Sequence, residues 1–384
     1  MPGQRPADHS PDRSGKPQGP ARGRARASLL LRLLRAQQSG LVLVILLLGF
    51  LLTLFAGSHV DRMTGRSVNN FLNSYTLMQT ATDACFFAIM AIGVTMVIIS
   101  GGIDLSVGSI YALSGVTMAM ALRARGDMEA LPTLGLALAL CLGVGLLCGL
   151  LNGLMLVGLR VHPFIITLGT MWVFRGLAFV ASKAESILVP DSLTAVAKSS
   201  LGLSRAVYPV PMLIMVAIAI VGEVILLKTV MGRNIYAIGG NPEAARYCGL
   251  RIGRLLVAVY ALSGLTAGIA AFVGGSFYGS VSCADATGYE LYVIAAAVVG
   301  GASLVGGKGS AASALLGAVL IVLVRQSIRT LHFDQNYEWV IIGCAIIAAV
   351  VFDRVSAQLT ERRIARMAGP TPAHRGLDTS EHGG

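Results

Sequence analysis

The chain has 384 residues, 55% hydrophobic and only 13% charged, with a mean hydropathy of +0.73. Soluble domains carry about 25% charged residues, so a soluble fold is excluded and a membrane protein is expected. The net charge of +11 is then read as loop topology and contact with anionic membrane lipid, and no nucleic-acid partner is expected.

Residues 1–39 mix Pro, Gly and Arg, a composition that cannot bury a core and predicts a disordered basic cytoplasmic arm. The apolar run that follows from Gly40 has no small-residue cleavage site directly behind it, which predicts an uncleaved helix and not a signal peptide. Runs long enough for a hydrocarbon core of about 30 Å are centred on 40–57, 84–100, 107–122, 134–157, 164–180, 209–227, 255–275, 289–304, 310–324 and 337–352. Several are short enough to be broken or re-entrant. The pattern predicts an all-α polytopic fold of about ten transmembrane helices, with a transmembrane domain over 40–352, a cytoplasmic loop at 228–254 and a disordered cytoplasmic tail at 353–384.

Orientation follows from the distribution of Lys and Arg. With a cytoplasmic N-terminus and ten spans, one side receives twenty basic residues and the other nine, while Arg175 falls inside a span. Both termini are therefore expected in the cytoplasm. The six cysteines, at 85, 141, 148, 248, 283 and 344, lack CxxC spacing and companion histidines. They predict apolar packing, with no disulfide framework, metal site or cofactor.

The stretch ISGGIDLSVGSIYALSG at 99–115 joins two apolar helices through Gly101 and Gly102, with Asp104 and Ser106 at the join. VVGGASLVGGKGSAASALLG at 298–317 repeats the plan, with Gly300, Gly301 and Ser303. The chain reads as internally duplicated, and facing glycine-interrupted helices are the sequence pointer to a substrate path. Non-helical backbone at that depth is tolerated only where protein or a cavity surrounds it. The copies lie six spans apart, so either they run parallel or one short segment is re-entrant. Glycine also serves close helix packing. Asp104 is open to two readings, a capping group for the helix that begins near Leu105 and an intramembrane functional carboxylate.

In the loop KTVMGRNIYAIGGNPEAARYCGLRIGR at 228–254, Asn241 suits an N-cap, Pro242 the first helical position, Glu243 the positive helix end and Gly249 the terminus. A helix of about seven residues, roughly 10 Å long, is marginal in water alone, which points to docking in a partner's groove.

Taken together, SGGIDLSVGS, GLLNGLMLVGLRVHPFIITLGTMWVFRGLAF, MGRNIYAIGGNPEAARYCGLRIGR, YALSGLTAGIAAF and TGYELYVIAAAVVGGASLVGGKGS resemble the permease subunit of bacterial ABC importers for simple sugars, the ribose/xylose/galactoside type related to branched-chain amino acid permeases. The resemblance implies an inner-membrane location, a second permease subunit, a separate ATPase subunit and a periplasmic sugar-binding protein. It also implies that the helix around Glu243, with Ala244 and Ala245 in EAARYCG, docks in the ATPase. The chain is not expected to hydrolyse ATP, because GGASLVGGKGS would need glycine at Ala302 and a hydroxyl at Gly309 to make a phosphate loop. The alternative is an ion-coupled secondary transporter acting without an ATPase, for which Glu223 and Glu290 are the candidate carboxylates.

For the translocation pathway, polar groups inside apolar spans are the candidates. These are Asn152, the one-face pair Thr167 and Thr170, the flat Trp172 and the intramembrane cation Arg175, together with the two glycine clusters. The competing reading is helix-to-helix hydrogen bonding, worth about 0.6 kcal/mol each.

Overall fold

The computed structural model describes residues 37–60, 65–126, 129–200, 208–345, 347, 348 and 351. Residues 1–36 of the arm expected at 1–39 and all of the tail expected at 353–384 lie outside the described residues, while 37–39, expected in the disordered arm, are already helical. Twelve helices are introduced in chain order. Helix α1 (Gln37–Phe55) leads into a hairpin of β1 (Ser58–Val60) and β2 (Ser67–Asn69), followed by α2 (Ser74–Ile99), α3 (Val107–Arg125), α4 (Ala130–Leu159) and α5 (Pro163–Ser182). Strand β3 (Ile187–Leu188) and α6 (Asp191–Ala197) precede α7 (Pro209–Lys228), α8 (Val230–Gly240), α9 (Pro242–Tyr247) and α10 (Ile252–Tyr278). Strand β4 (Ser280–Val281) pairs antiparallel with β3, and α11 (Tyr289–Val299) and α12 (Ala311–Thr330) follow. Residues 337–345 are again helical.

The fold is thus all-α and polytopic. Among the described residues eight helices are long and apolar enough to cross a membrane, and α11, with 11 residues, is shorter. Helix α2 is the axis of the bundle. Its most apolar window is 100% buried, against 6% for α1 and 17% for α7, whose apolar side chains face outward. A buried span that is apolar all round is the expected reading of the uninterrupted run ACFFAIMAIGVTMVII in α2.

Helices α4 and α10 lie antiparallel at backbone contact. A Cβ added at Gly153 would come within 2.7 Å of Val257 Cα, and one at Gly145 within 3.0 Å of Gly268 Cα. Without an aqueous hydrophobic drive between them, membrane helices associate through such close van der Waals packing of small residues. Helix α10 begins on the face of the bundle that carries α8 and α9, here called the α9 face. At its other end, Val189 N–H donates to Gly279 O beside α6, so β3, β4 and α6 close the opposite face.

The span 310–324 read from hydropathy is too short. Helix α12 runs to Thr330 and carries Arg325 and Arg329 within it, not in a loop. Each cation is held by a partner that hydropathy does not register. Arg329 Nη1 lies 3.3 Å from Asp83 Oδ2, and Tyr278 donates its hydroxyl to Asp83 Oδ1 at 2.8 Å. Arg325 pairs with Glu338 and stacks 5.2 Å from the Phe87 ring and 5.1 Å from the Tyr292 ring.

Candidate translocation and coupling site

Both glycine clusters end a helix by the same device. In α2, Gly101 takes φ +85°, its N–H donates to Ile98 O, and the N–H of Gly102 reaches back to Val97 O. In α11, Gly301 takes φ +101°, its N–H donates to Val298 O, and the N–H of Ala302 reaches Ala297 O. This paired closure satisfies the last carbonyls of each helix and requires a left-handed residue, which glycine supplies without steric cost. The structure therefore equates Gly101 with Gly301, one residue away from the alignment that the Gly-Gly pairs suggest. Gly300 instead meets α12, where an added Cβ would lie 2.8 Å from the Ser313 carbonyl carbon.

The two broken elements run in the same sense. Phe87 stacks on Tyr289 and Tyr292 at 4.5 and 5.8 Å, while twelve residues further along α2 the carbonyl of Ile99 accepts from Gly307 N–H at 2.8 Å. Of the two arrangements left open by the sequence, the parallel one is found, and the breaks touch one another.

Asp104 is fully buried and spends its carboxylate within the protein. Oδ1 accepts from Ser106 N–H at 2.9 Å and Ser106 Oγ at 2.6 Å, and Oδ2 accepts from Ser263 Oγ at 2.7 Å. Asn152 Nδ2 donates to Ser106 Oγ at 2.7 Å, tying α4 into the same cluster. The helix after the break starts at Val107 with Ser106 as its N-cap and no side-chain cap bond, so of the two readings of Asp104 the cap is not found: its carboxylate accepts from the Ser106 N–H two residues on and closes a local turn ahead of the helix. Thr167 Oγ1 donates to Ile103 O at 3.2 Å and to its own helix, and Tyr260 OH also reaches Ile103 O. Asp104, Ser106, Asn152 and Thr167 are thereby brought together as a buried polar knot that fixes the break between α4, α5 and α10, with Asn152 Oδ1 left without a partner. Thr170 is buried too, but bonds only its own helix, to Thr167 O.

The remaining candidates are placed elsewhere. Trp172 is 68% exposed on the outer side of α5. Arg175, half-buried on the same helix, donates from Nη1 to Cys283 O at 2.7 Å and Asp285 O at 2.6 Å, so its partners are backbone carbonyls of the segment before α11. Ser303 sits in the second break, where its N–H donates to Lys308 O. Glu223 caps α12, with Oε2 accepting from Ala312 N–H at 3.1 Å. Glu290 lies in the first turn of α11, where a Cβ on Gly108 would meet its Oε2 at 2.6 Å.

The loop helix forms as its residues dictate. Asn241 Oδ1 accepts from Ala244 N–H at 2.9 Å, Pro242 opens α9 and Gly249, at φ +77°, ends it with the same paired closure through Leu250. Ala245 turns inward, while Glu243, Ala244, Arg246 and Tyr247 face outward, Tyr247 with 91% of its surface free. Sequence reasoning did not single out Tyr247, Tyr260 or Ser263. An aromatic at the exposed tip of a docking-type helix was the available signal for the first. No local signal marks the other two, whose partner is 157–159 residues away.

Helix α8 connects α9 to the breaks. Tyr236 OH donates to Gly309 O at 2.7 Å, and Gly239 packs so tightly that an added Cβ would lie 2.6 Å from Gly307 N and nearer still to Ile99 O. One residue separates α8 from α9.

A bundle of membrane-spanning helices with paired glycine breaks and an exposed coupling-type helix is the architecture of a transport permease. Residues 76–350 match the family described as branched-chain amino acid transport system / permease component, and the chain belongs to that family. Among curated relatives, the D-allose transport system permease protein of Escherichia coli (strain K12) is 34% identical over 287 residues, 74% of this chain and 85% of the relative. The ribose import permease protein of Haemophilus influenzae is 36% identical over 288 residues, 75% and 85%. The fructose import permease protein of Rhizobium meliloti is 32% identical over 290 residues, 74% and 79%.

Proposed function

We propose that this chain is the membrane-spanning permease subunit of an ATP-binding-cassette importer that forms the path for a simple sugar or related polyol in a bacterial inner membrane. It works with a separate ATPase subunit, a periplasmic sugar-binding protein and a second permease subunit, a further copy or a paralogue. The observation that carries this reading is the run from α9 through Gly239 to Ile99 and Gly307. A push on α9 by a nucleotide-driven partner has no slack to absorb it before it reaches the breaks. The relatives named above, permeases for allose, ribose and fructose, supply the substrate class.

The α9 face is then cytoplasmic, as are both termini, and the β3–β4 face is periplasmic. Asp104 and Ser106 shape the wall of the path without meeting sugar, since their bonds are already made, and Asn152 holds Ser106 through Nδ2. The sugar runs along the outer face of α5, past Trp172 and Arg175, where the second permease completes the enclosure, while Thr170 lies buried behind that face. A flat apolar ring and sparse hydrogen-bonding groups suit a neutral polyol that must be released again. The ion-coupled alternative loses Glu223, whose carboxylate is committed to the end of α12.

The test is uptake of radiolabelled ribose, allose and fructose into proteoliposomes holding the permease and its cognate ATPase, with the binding protein added outside. Uptake that requires both ATP and the binding protein is expected. Uptake driven by a sodium or proton gradient without ATP would overturn the proposal.

A further inference from the structure

On the α9 face, the last turns of α4 and the first turn of α10 enclose a groove of about 530 Å³, walled by Leu154, Val157 and Val257 and rimmed by Arg251 and Arg254. Both arginines are exposed and also border the adjoining groove beside Asn234 and Ile238. Neither meets a carboxylate, for the ion pairs among the described residues are Arg325–Glu338 and Arg329–Asp83. Arg160, at the end of α4, adds a third exposed cation. The groove floor continues the outward apolar side of α4, where Leu147, Leu151 and Leu154 are 50 to 61% exposed.

We propose that this groove binds an anionic phospholipid, with its phosphate against Arg251 and Arg254 and an acyl chain along Leu154, Val157 and Val257. Basic pockets between membrane helices at the level of the headgroups select anionic lipid, and the chemistry here is divided in the same way, cations at the rim and hydrocarbon walls below. A soluble anion would use the arginines but leave the apolar walls idle. A docked soluble protein would cover the rim but has no reason to follow α4 into the bilayer, and the second permease is placed against α5. The inference rests on the chain being a membrane protein and is independent of what it transports.

The experiment is native mass spectrometry of the purified full-length permease after exchange into detergent containing equal amounts of phosphatidylglycerol and phosphatidylcholine. The wild type is expected to retain phosphatidylglycerol preferentially. Arg251→Gln and Arg254→Gln should each lower that retention about fivefold and the double variant about 25-fold, at unchanged melting temperature. Arg233→Gln, an exposed arginine outside the groove, should leave retention unchanged, and millimolar inorganic phosphate should not displace the lipid. Equal phosphatidylglycerol retention by wild type and double variant overturns the proposal, as does an equal loss in Arg233→Gln, which would mean diffuse surface charge. Displacement by inorganic phosphate would make this a free-anion site. Unchanged lipid retention with loss of ATPase co-purification would make it a protein-docking surface.

Discussion

Two adjacent glycines at the end of α8 separate packing from propensity. At Gly239 an alanine Cβ would stand 2.6 Å from Gly307 N and 2.8 Å from the Ile99 carbonyl carbon, all backbone atoms that no rotamer change can move aside. At Gly240 nothing lies within 4 Å. Gly239→Ala therefore forces the breaks and α8 apart by about 1 Å, an overpacking cost of about 1–3 kcal/mol. Loss of the Gly307-to-Ile99 hydrogen bond that holds the breaks together adds about 1 kcal/mol. Gly240→Ala should be neutral or stabilise by up to about 1 kcal/mol through helix propensity. The assay is paired: melting of the purified permease in detergent, and ATPase activity of the reconstituted complex with and without sugar-loaded binding protein. Gly239→Ala is expected to lower the melting temperature and to uncouple hydrolysis from the binding protein, while Gly240→Ala does neither. If the two variants behave alike, α8 is not the rigid link between α9 and the breaks.

Asp104→Asn keeps an acceptor for Ser106 and lets the Ser263 hydroxyl reverse its role, so assembly and most uptake should persist; Asp104→Ala strands three donors and should cost about 1–3 kcal/mol, read as a lower yield of assembled complex. Equal, severe loss of uptake in both variants at normal assembly would instead give the carboxylate a direct part in transport. Tyr247→Ala and Glu243→Lys, both on the exposed side of α9, should abolish ATPase co-purification while membrane insertion stays normal, and normal pull-down would remove α9 from the interface. Cysteine-labelling reporters at residues 10, 241 and 370 should report cytoplasm and one at 192 periplasm, an accessible periplasmic signal at 241 being fatal to the assignment of the α9 face. Asp83→Asn should lower the melting temperature by weakening the hold on Arg329, an effect that Arg329→Gln should largely reproduce and that the double variant should not deepen.

Features encoded over a few residues were legible in the sequence. The end of α2, the N-cap at Asn241 and the stop at Gly249 each rest on chemistry within six residues, so their residue types declare them. Apolar runs located α1 to α5, α7, α10 and α12 for the same reason, since span length is a local property. The α12 boundary was misplaced because Arg325 and Arg329 are made tolerable by Phe87, Tyr292, Glu338 and Asp83, partners that lie on other elements. Trp172 and Arg175 looked like companions of Asn152 because all three interrupt apolar spans. Whether such a residue points to the knot or to the outer surface depends on the rotation of its helix, which low amphipathicity leaves unmarked.

The one-residue offset between the copies shows what the duplication preserves. Gly101 and Gly301 hold equivalent left-handed positions, but their neighbours have diverged in role: Gly102 lies where a Cβ would press on Tyr260 OH at 2.7 Å, while Ala302 tolerates its own Cβ. After the first break comes a carboxylate knot bound to α4, α5 and α10. After the second come Gly306, Gly307 and Gly309, whose backbone lies against Ile99 and α8. One copy is thus fastened to the bundle by a buried carboxylate and its hydroxyl partners, and the other rests on its neighbours through close backbone packing and the Tyr236 hydroxyl on Gly309 O. When α8 is displaced, the first break is restrained by three buried hydrogen bonds to Asp104, whereas the second is restrained chiefly by the contacts that α8 itself supplies. The 303–309 segment and α11 should therefore move first. Hydrogen exchange on the reconstituted complex is expected to show nucleotide-dependent protection changes there before any at 100–106. Simultaneous change in both segments would mean that the bundle moves as one body.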